Sequence, residues 1–136
     1  MDLEQRTQAV LMLLRGQPGL DVFDGEPDAR MDSDGRAHPY AALYVSPGRR
    51  DPNEDAVTTG SDLLAWTFQV TAAGGDVPRA RRAVTRVLAA LDGARISTAG
   101  GPIALAADPG PILTDRTVAP YRSYAPLLFA VQLAAE

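Results

Sequence analysis

Chemistry has few places to sit in this chain of 136 residues, which contains a single histidine and no cysteine. His38 stands just before Pro39 at the start of an apolar run. A Ser-His-Asp machine would have to use it, yet no Gly-x-Ser-x-Gly nucleophile elbow occurs anywhere, so a strand-end histidine is the simpler reading. The acidic run Asp28, Asp32, Asp34-Gly35 superficially suggests a calcium loop. With Gly35 at the sixth position, however, Arg30 falls at the first and Ala41 at the twelfth, where acids are required, and a solvated turn explains the run better. Of the 17 carboxylates, only Asp62, ahead of Leu63-Leu64, has the apolar neighbours that could raise a pKa for general-acid work. A strand-start aspartate accounts for it equally. The pairs Gly74-Gly75 and Gly100-Gly101 form no dinucleotide fingerprint. Absence of cysteine excludes a thiol nucleophile, a disulfide framework and thiolate metal sites. All 13 basic residues are arginine, which excludes a Schiff-base lysine and a Walker-type phosphate loop. No catalytic residue, cofactor or metal is therefore expected.

What remains is charge. Arg79, Arg81, Arg82 and Arg86 lie in one helical stretch, and positions 79, 82 and 86 have the spacing of one exposed face. Such a face is ordinarily just solvated; the sharper reading is contact with a neighbouring subunit's acidic loop, or with DNA passing nearby. Arg49-Arg50 make a second basic spot on a chain of net charge −4. Separation of sign on one subunit favours head-to-tail self-association, in which unlike patches meet. The acidic balance, with pI near 4.9, opposes general duplex binding, and 6% aromatic residues leave no stacking platform for single strands. The exclusive use of arginine, with abundant alanine, is what a GC-rich genome produces. No apolar run approaches the ~18–20 residues of a membrane span. Met1-Asp2-Leu3-Glu4 is acidic where a secretory signal is basic, so a soluble protein kept inside the producing cell is expected.

The elements that must position these residues follow from periodicity and punctuation. A helix is expected from Asp2 to Arg15, capped by Asp2 with Gln5 at capping-box spacing and stopped by Gly16. Its apolar face comprises Leu3, Val10, Leu11 and Leu14, with Thr7 between. Short strands follow at Leu20–Phe23 and His38–Val45, separated by a polar loop over 26–37. Ser46 to Ser61 has two prolines, two glycines and almost no apolar surface. Structureless stretches longer than ~12–15 residues are usually functional or disordered, and a solvated hairpin extension is the plain alternative. Asp62 to Ala72 alternates cleanly, with Leu64, Trp66, Phe68, Val70 and Ala72 on one face and Ala65, Thr67, Gln69 and Thr71 on the other. Asp76 caps a second helix, Pro78 sits in its first turn, and Val77, Ala80, Val84, Val87, Leu88 and Leu91 form its stripe before Gly93. Ala94–Ser97, Ile103–Ala107 and an alternating segment from Tyr121 to Ala134 complete the order α-β-β-β-α-β-β-β. That order implies one α+β domain over 1–136, a mostly antiparallel sheet with two helices packed on one face.

The order of elements resembles the tail terminator proteins of long-tailed bacteriophages, also called tail-completion or head–tail joining proteins. The segments carrying the resemblance are Leu11 to Phe23, His38-Pro39-Tyr40-Ala41-Ala42-Leu43-Tyr44-Val45, Ala65 to Ala72 and Val77 to Leu91. The resemblance implies a virion structural protein without catalytic residues, assembled in the host cytoplasm. It would form a ring, hexameric in that family, on the head-proximal end of the tail tube. There it would end polymerisation of the tube protein and meet the head connector or stopper protein, while DNA passes through without sequence-specific binding. The composition suits a phage of a GC-rich host, a gene-transfer particle or a domesticated prophage. Candidate contact residues on this reading are Arg49, Arg50, Asp51, Glu54 and Asp55 in the long loop, Thr67, Gln69 and Thr71 on the wet strand face, and Arg79, Arg82 and Arg86 on the helix.

The competing readings are another neck component such as a head-completion stopper, a tail-tube-like protein, and a small cytoplasmic ligand-binding domain or enzyme gathering His38, Asp62 and an arginine. A nucleic-acid module built on the arginine helix is opposed by the net charge. For the long loop, amide exchange across Asp51 to Gly60 is expected to be fast in a verified monomer and to slow on assembly; exchange already slow in the monomer would contradict ordering against a neighbour.

Overall fold

The computed structural model describes residues 1–50 and 63–134. Helix α1 (Leu3–Arg15) begins at a capping box: the Asp2 carboxylate accepts the Gln5 N–H at 2.7 Å, and the Asp2 N–H donates to Gln5 Oε1 at 2.8 Å. Gly16 closes it by donating to Met12 O at 3.2 Å. Helix α2 (Val77–Leu91) is capped by Asp76, whose side chain accepts the Arg79 N–H at 2.9 Å, with Pro78 in the first turn where an N–H is not needed.

The strands are β1 (Asp21–Asp24), β2 (Tyr40–Val45), β3 (Arg49–Arg50), β4 (Leu63–Gly74), β5 (Ala104–Leu105), β6 (Leu113–Asp115) and β7 (Arg122–Ala134). They form one sheet in the order β1-β2-β4-β7-β5, with β3 beside β4 and β6 beside β7. Every pairing is antiparallel except β1 with β2. The fold is thus α+β, with both helices on one face. α1 packs over β1 and β2, α2 over β4 and β7, and the helices touch each other.

Alternation on the long strands decides what is buried. Trp66, Phe68, Val70 and Ala72 of β4, and Leu127, Phe129, Val131 and Leu133 of β7, all point toward the helices and are buried. They meet Val10, Leu11 and Leu14 from α1 and Ala83, Val87 and Leu91 from α2. Phe68 lies between Trp66 and Phe129, with ring centroids 4.8 and 5.5 Å away. A second, smaller cluster sits on the opposite face, where Ala37, Phe23, Ala29 and Tyr124 pack around Tyr40 and Ala73 beneath the loop over 26–37.

Several expected boundaries move. Leu3, placed on the apolar face of α1, is exposed, and Arg6 is buried in its stead. The first strand starts at Asp21, not Leu20, and the second at Tyr40, not His38. Ser46–Ser61 is not loop throughout: Arg49–Arg50 pair with Ala65 and Leu64 as β3. β3 prolongs β2 along the same side of β4 through a bulge. Val45 faces Phe68 and Arg49 faces Ala65, so four steps on one side oppose three on the other. Gly48, at φ 85°, supplies the left-handed residue there, and Trp66 Nε1 donates to Ser46 O at 2.7 Å. The long strand begins at Leu63 and reaches Gly74. Ala94–Ser97 forms no strand, because the Ala94 carbonyl instead receives the Ile103 N–H at 2.8 Å as the chain doubles back. β6 lies in the Pro/Gly-rich stretch, which carries no periodic signal.

Pro126 falls inside β7, where a ladder hydrogen bond would be expected. The Leu128 and Gln132 carbonyls receive N–H groups from Ala106 and Gly101, so even-numbered residues of β7 turn their backbone away from β4. Pro126 shares that parity. It lies opposite the gap between β6, which ends at Tyr124, and β5, which begins at Phe129, so no partner is lost.

Phe129→Ala is expected to destabilise the chain by about 3–5 kcal/mol, while Leu128→Ala, one residue earlier on the outer face, should stay within about 0.5 kcal/mol of the parent. Urea-unfolding midpoints for the pair test the face assignment, and similar losses for both would refute it.

Candidate assembly surface

Arg79 does not sit on an exposed face. Its side chain is only 14% exposed and holds three carboxylates. Nε donates to Asp32 Oδ2 at 2.8 Å, Nη2 to Asp34 Oδ2 at 2.8 Å, and Nη1 to Asp76 Oδ2 at 2.5 Å. Asp32 in turn pairs through Oδ1 with His38 Nδ1 at 2.9 Å. The loop over 26–37 is thereby tied to the N-terminus of α2. The tie is reinforced by Gly75 N–H on Ala37 O at 2.9 Å and by Arg36 Nη1 on Gly75 O at 3.3 Å. A Cβ at Gly75 would collide with the Ala37 backbone, so this glycine serves close packing of loop on turn.

The same knot accounts for the residues that invited chemistry. Asp32 and Asp34 direct their oxygens to Arg79. His38 does meet an aspartate and an arginine, but the aspartate is Asp32; Asp62 lies outside the described residues. His38 Nε2, the nitrogen that would take a nucleophile's proton, is buried without a hydrogen-bond partner among the described residues. The Arg79 side chain first and His38 second hold the Asp32 carboxyl below the usual aspartate range. The Arg36 N–H, then Arg79, does the same for Asp34. Arg79 is correspondingly held in its charged form by Asp32 first.

With Arg79 withdrawn, the exposed basic face of α2 consists of Arg81, Arg82 and Arg86, which line a shallow depression with Pro78 and Thr85. No ion pair engages these three arginines among the described residues. The wet face of β4 is as expected. Thr67 is exposed, Gln69 and Thr71 are partly covered, and Gln69 Nε2 donates to Thr71 Oγ1 at 3.1 Å. In register beside them stand Ala130, Leu128 and Pro126 of β7, and beside Gln69 stands Tyr44 of β2. Tyr44 is 43% and Leu128 42% exposed, and none of these positions carries a charge. Arg49, also exposed, marks one end of this face opposite Ala65. Arg50 belongs to β3. Asp51, Glu54 and Asp55 lie outside the described residues, within the span 51–62. The structure therefore brings Thr67, Gln69 and Thr71 together with Arg49 at their end, places Arg82 and Arg86 on the other side of the molecule, and removes Arg79 from either surface.

Two internal arginines had no sequence signal. Arg6, 4% exposed, places its guanidinium 5.1 Å from the Trp66 ring centroid and donates to Pro47 O at 2.8 Å, fixing α1 to the bulge. Arg122 reaches across the outer face to Tyr40 Oη at 3.2 Å, and that bond is the main reason its guanidinium holds its proton more tightly.

Because the Asp32 and Asp34 carboxyls are depressed in the folded state, they contribute stability above the ordinary aspartate pKa that is lost as pH falls through the depressed values, below about pH 4. Asp32→Asn should lower the thermal midpoint at about pH 6, and the gap to the parent should narrow toward about pH 2.5. Parallel curves for parent and variant would show that this pair does not govern the acid limb.

No protein-family model matches the chain, and no curated protein matches it. Its fold is similar to that of a chain in the virion of a native gene transfer agent (GTA) particle, with a TM-score of 0.60 at 18% identity, over 98% of this chain and 96% of that chain.

Proposed function

We propose that the chain is a structural protein of a virion or virion-like particle, and specifically a tail terminator that forms a ring with its own copies on the head-proximal end of a tail tube. The observation that carries this reading is the end-to-end likeness of fold to a gene transfer agent virion chain, which covers 98% of one and 96% of the other. The order of elements supports the finer assignment, and α1 at the start of the chain favours a terminator over a tube-like protein. On this reading the chain acts by contact and without catalysis. Its uncharged outer sheet face and its basic α2 face are two unlike surfaces on one subunit, which a closed ring of head-to-tail contacts requires.

Light scattering on the purified chain, alone and mixed with tail-tube protein, tests the proposal. A ring-sized species that stops tube growth is expected. A monomer or dimer that leaves tube assembly untouched would refute the terminator role and favour a connector component.

A further inference from the structure

We propose that the depression on α2 lined by Arg81, Arg82 and Arg86 receives the acidic end of β1 and the turn after it, carrying Asp24, Glu26 and Asp28, of a second copy of this chain. The inference rests on the self-assembly reading above and names the contact it would use. Both surfaces are exposed, and neither forms an ion pair within its own subunit among the described residues. Arg81, Arg82 and Arg86 project from the side of α2 opposite Ala83, Val87 and Leu91, straight out of the helix layer. Asp24, Glu26 and Asp28 are exposed and form no ion pair or side-chain hydrogen bond among the described residues. Their neighbours differ in this respect. Asp21 holds Arg30, and Asp32, Asp34 and Asp76 hold Arg79, whereas Asp24, Glu26 and Asp28 stand together in one turn without such a partner among the described residues.

Shape and placement agree with the charge. The turn is held by the Gly25 N–H on Leu43 O at 2.9 Å, with Gly25 at φ 89°, and it follows the edge strand of the sheet. The arginines surround a hollow. One patch lies on top of the helix layer and the other at the β1 edge, so a subunit cannot satisfy itself, and the contact passes from copy to copy. A phosphate backbone would also suit the arginines. The cluster of exposed, unpaired acids in that turn, on a chain of net charge −4, favours a second copy.

The test uses two double variants of the full chain, Arg82→Glu with Arg86→Glu, and Glu26→Arg with Asp28→Arg. All four positions are exposed, and circular dichroism is to be used to check that each variant folds. Each variant alone should self-associate at least about tenfold more weakly than the parent by light scattering, and an equimolar mixture should regain the parent's mass, because each supplies the charge the other has inverted. Raising salt from about 50 mM to about 500 mM should weaken the parent contact. If both variants keep the parent's mass, this contact is wrong and the ring reading stands. If the parent is monomeric alone and with tail-tube protein, both readings fall. Variants that dissociate without rescue on mixing would show that the patches do not meet each other. Loss of labelled duplex binding in the arginine variant, with unchanged mass, would reassign the α2 face to nucleic acid.

Discussion

The antiparallel pairing of β4 with β7 runs without interruption from Leu63 opposite Ala134 to Gly74 opposite Ser123, and the rest of the molecule is fastened to it. Because side chains alternate, this single register decides that Trp66, Phe68, Phe129 and Val131 face the helices while Thr67, Gln69 and Leu128 face outward. A slip of one residue would exchange the two sets. Every other strand except β1 pairs directly with one of these two, and both helices lie on the face that the register makes apolar.

Arginine has two separate uses here. Arg6, Arg79 and Arg122 act inward: one guanidinium covers Trp66, another joins three aspartates, and the third bridges β7 to Tyr40. A planar fork with several donors can serve three carboxylates at once, which a lysine ammonium does less well. Arg81, Arg82 and Arg86, on the same helix as Arg79, have nothing inside to bind. A difference of two or three positions along one helix separates an internal brace from a surface available to a partner.

That difference was hidden in the sequence. Local devices were legible because their partners are close: Asp2 with Gln5, Asp76 with Pro78, and the alternation of β4 and β7. The Thr67, Gln69 and Thr71 face followed from the same alternation. Helical spacing alone groups Arg79 with Arg82 and Arg86, because its main partner, Asp32, stands 47 residues away. Arg6 was missed because its acceptor, Pro47, is 41 residues distant and a charged residue gives no apolar signal. β3, β5 and β6 are two or three residues long, too short for any periodicity to register.

Pro126 has a meaning for colloidal behaviour beyond its fit into the sheet. The gap beside it, between Tyr124 and Phe129, has no neighbouring strand on that side among the described residues, and there the proline offers no N–H to an incoming chain. A foreign strand laid along that opening would leave one of its carbonyls unanswered. The open flank of the central pair is thus a poor template for the endless strand-on-strand growth that leads to fibrils.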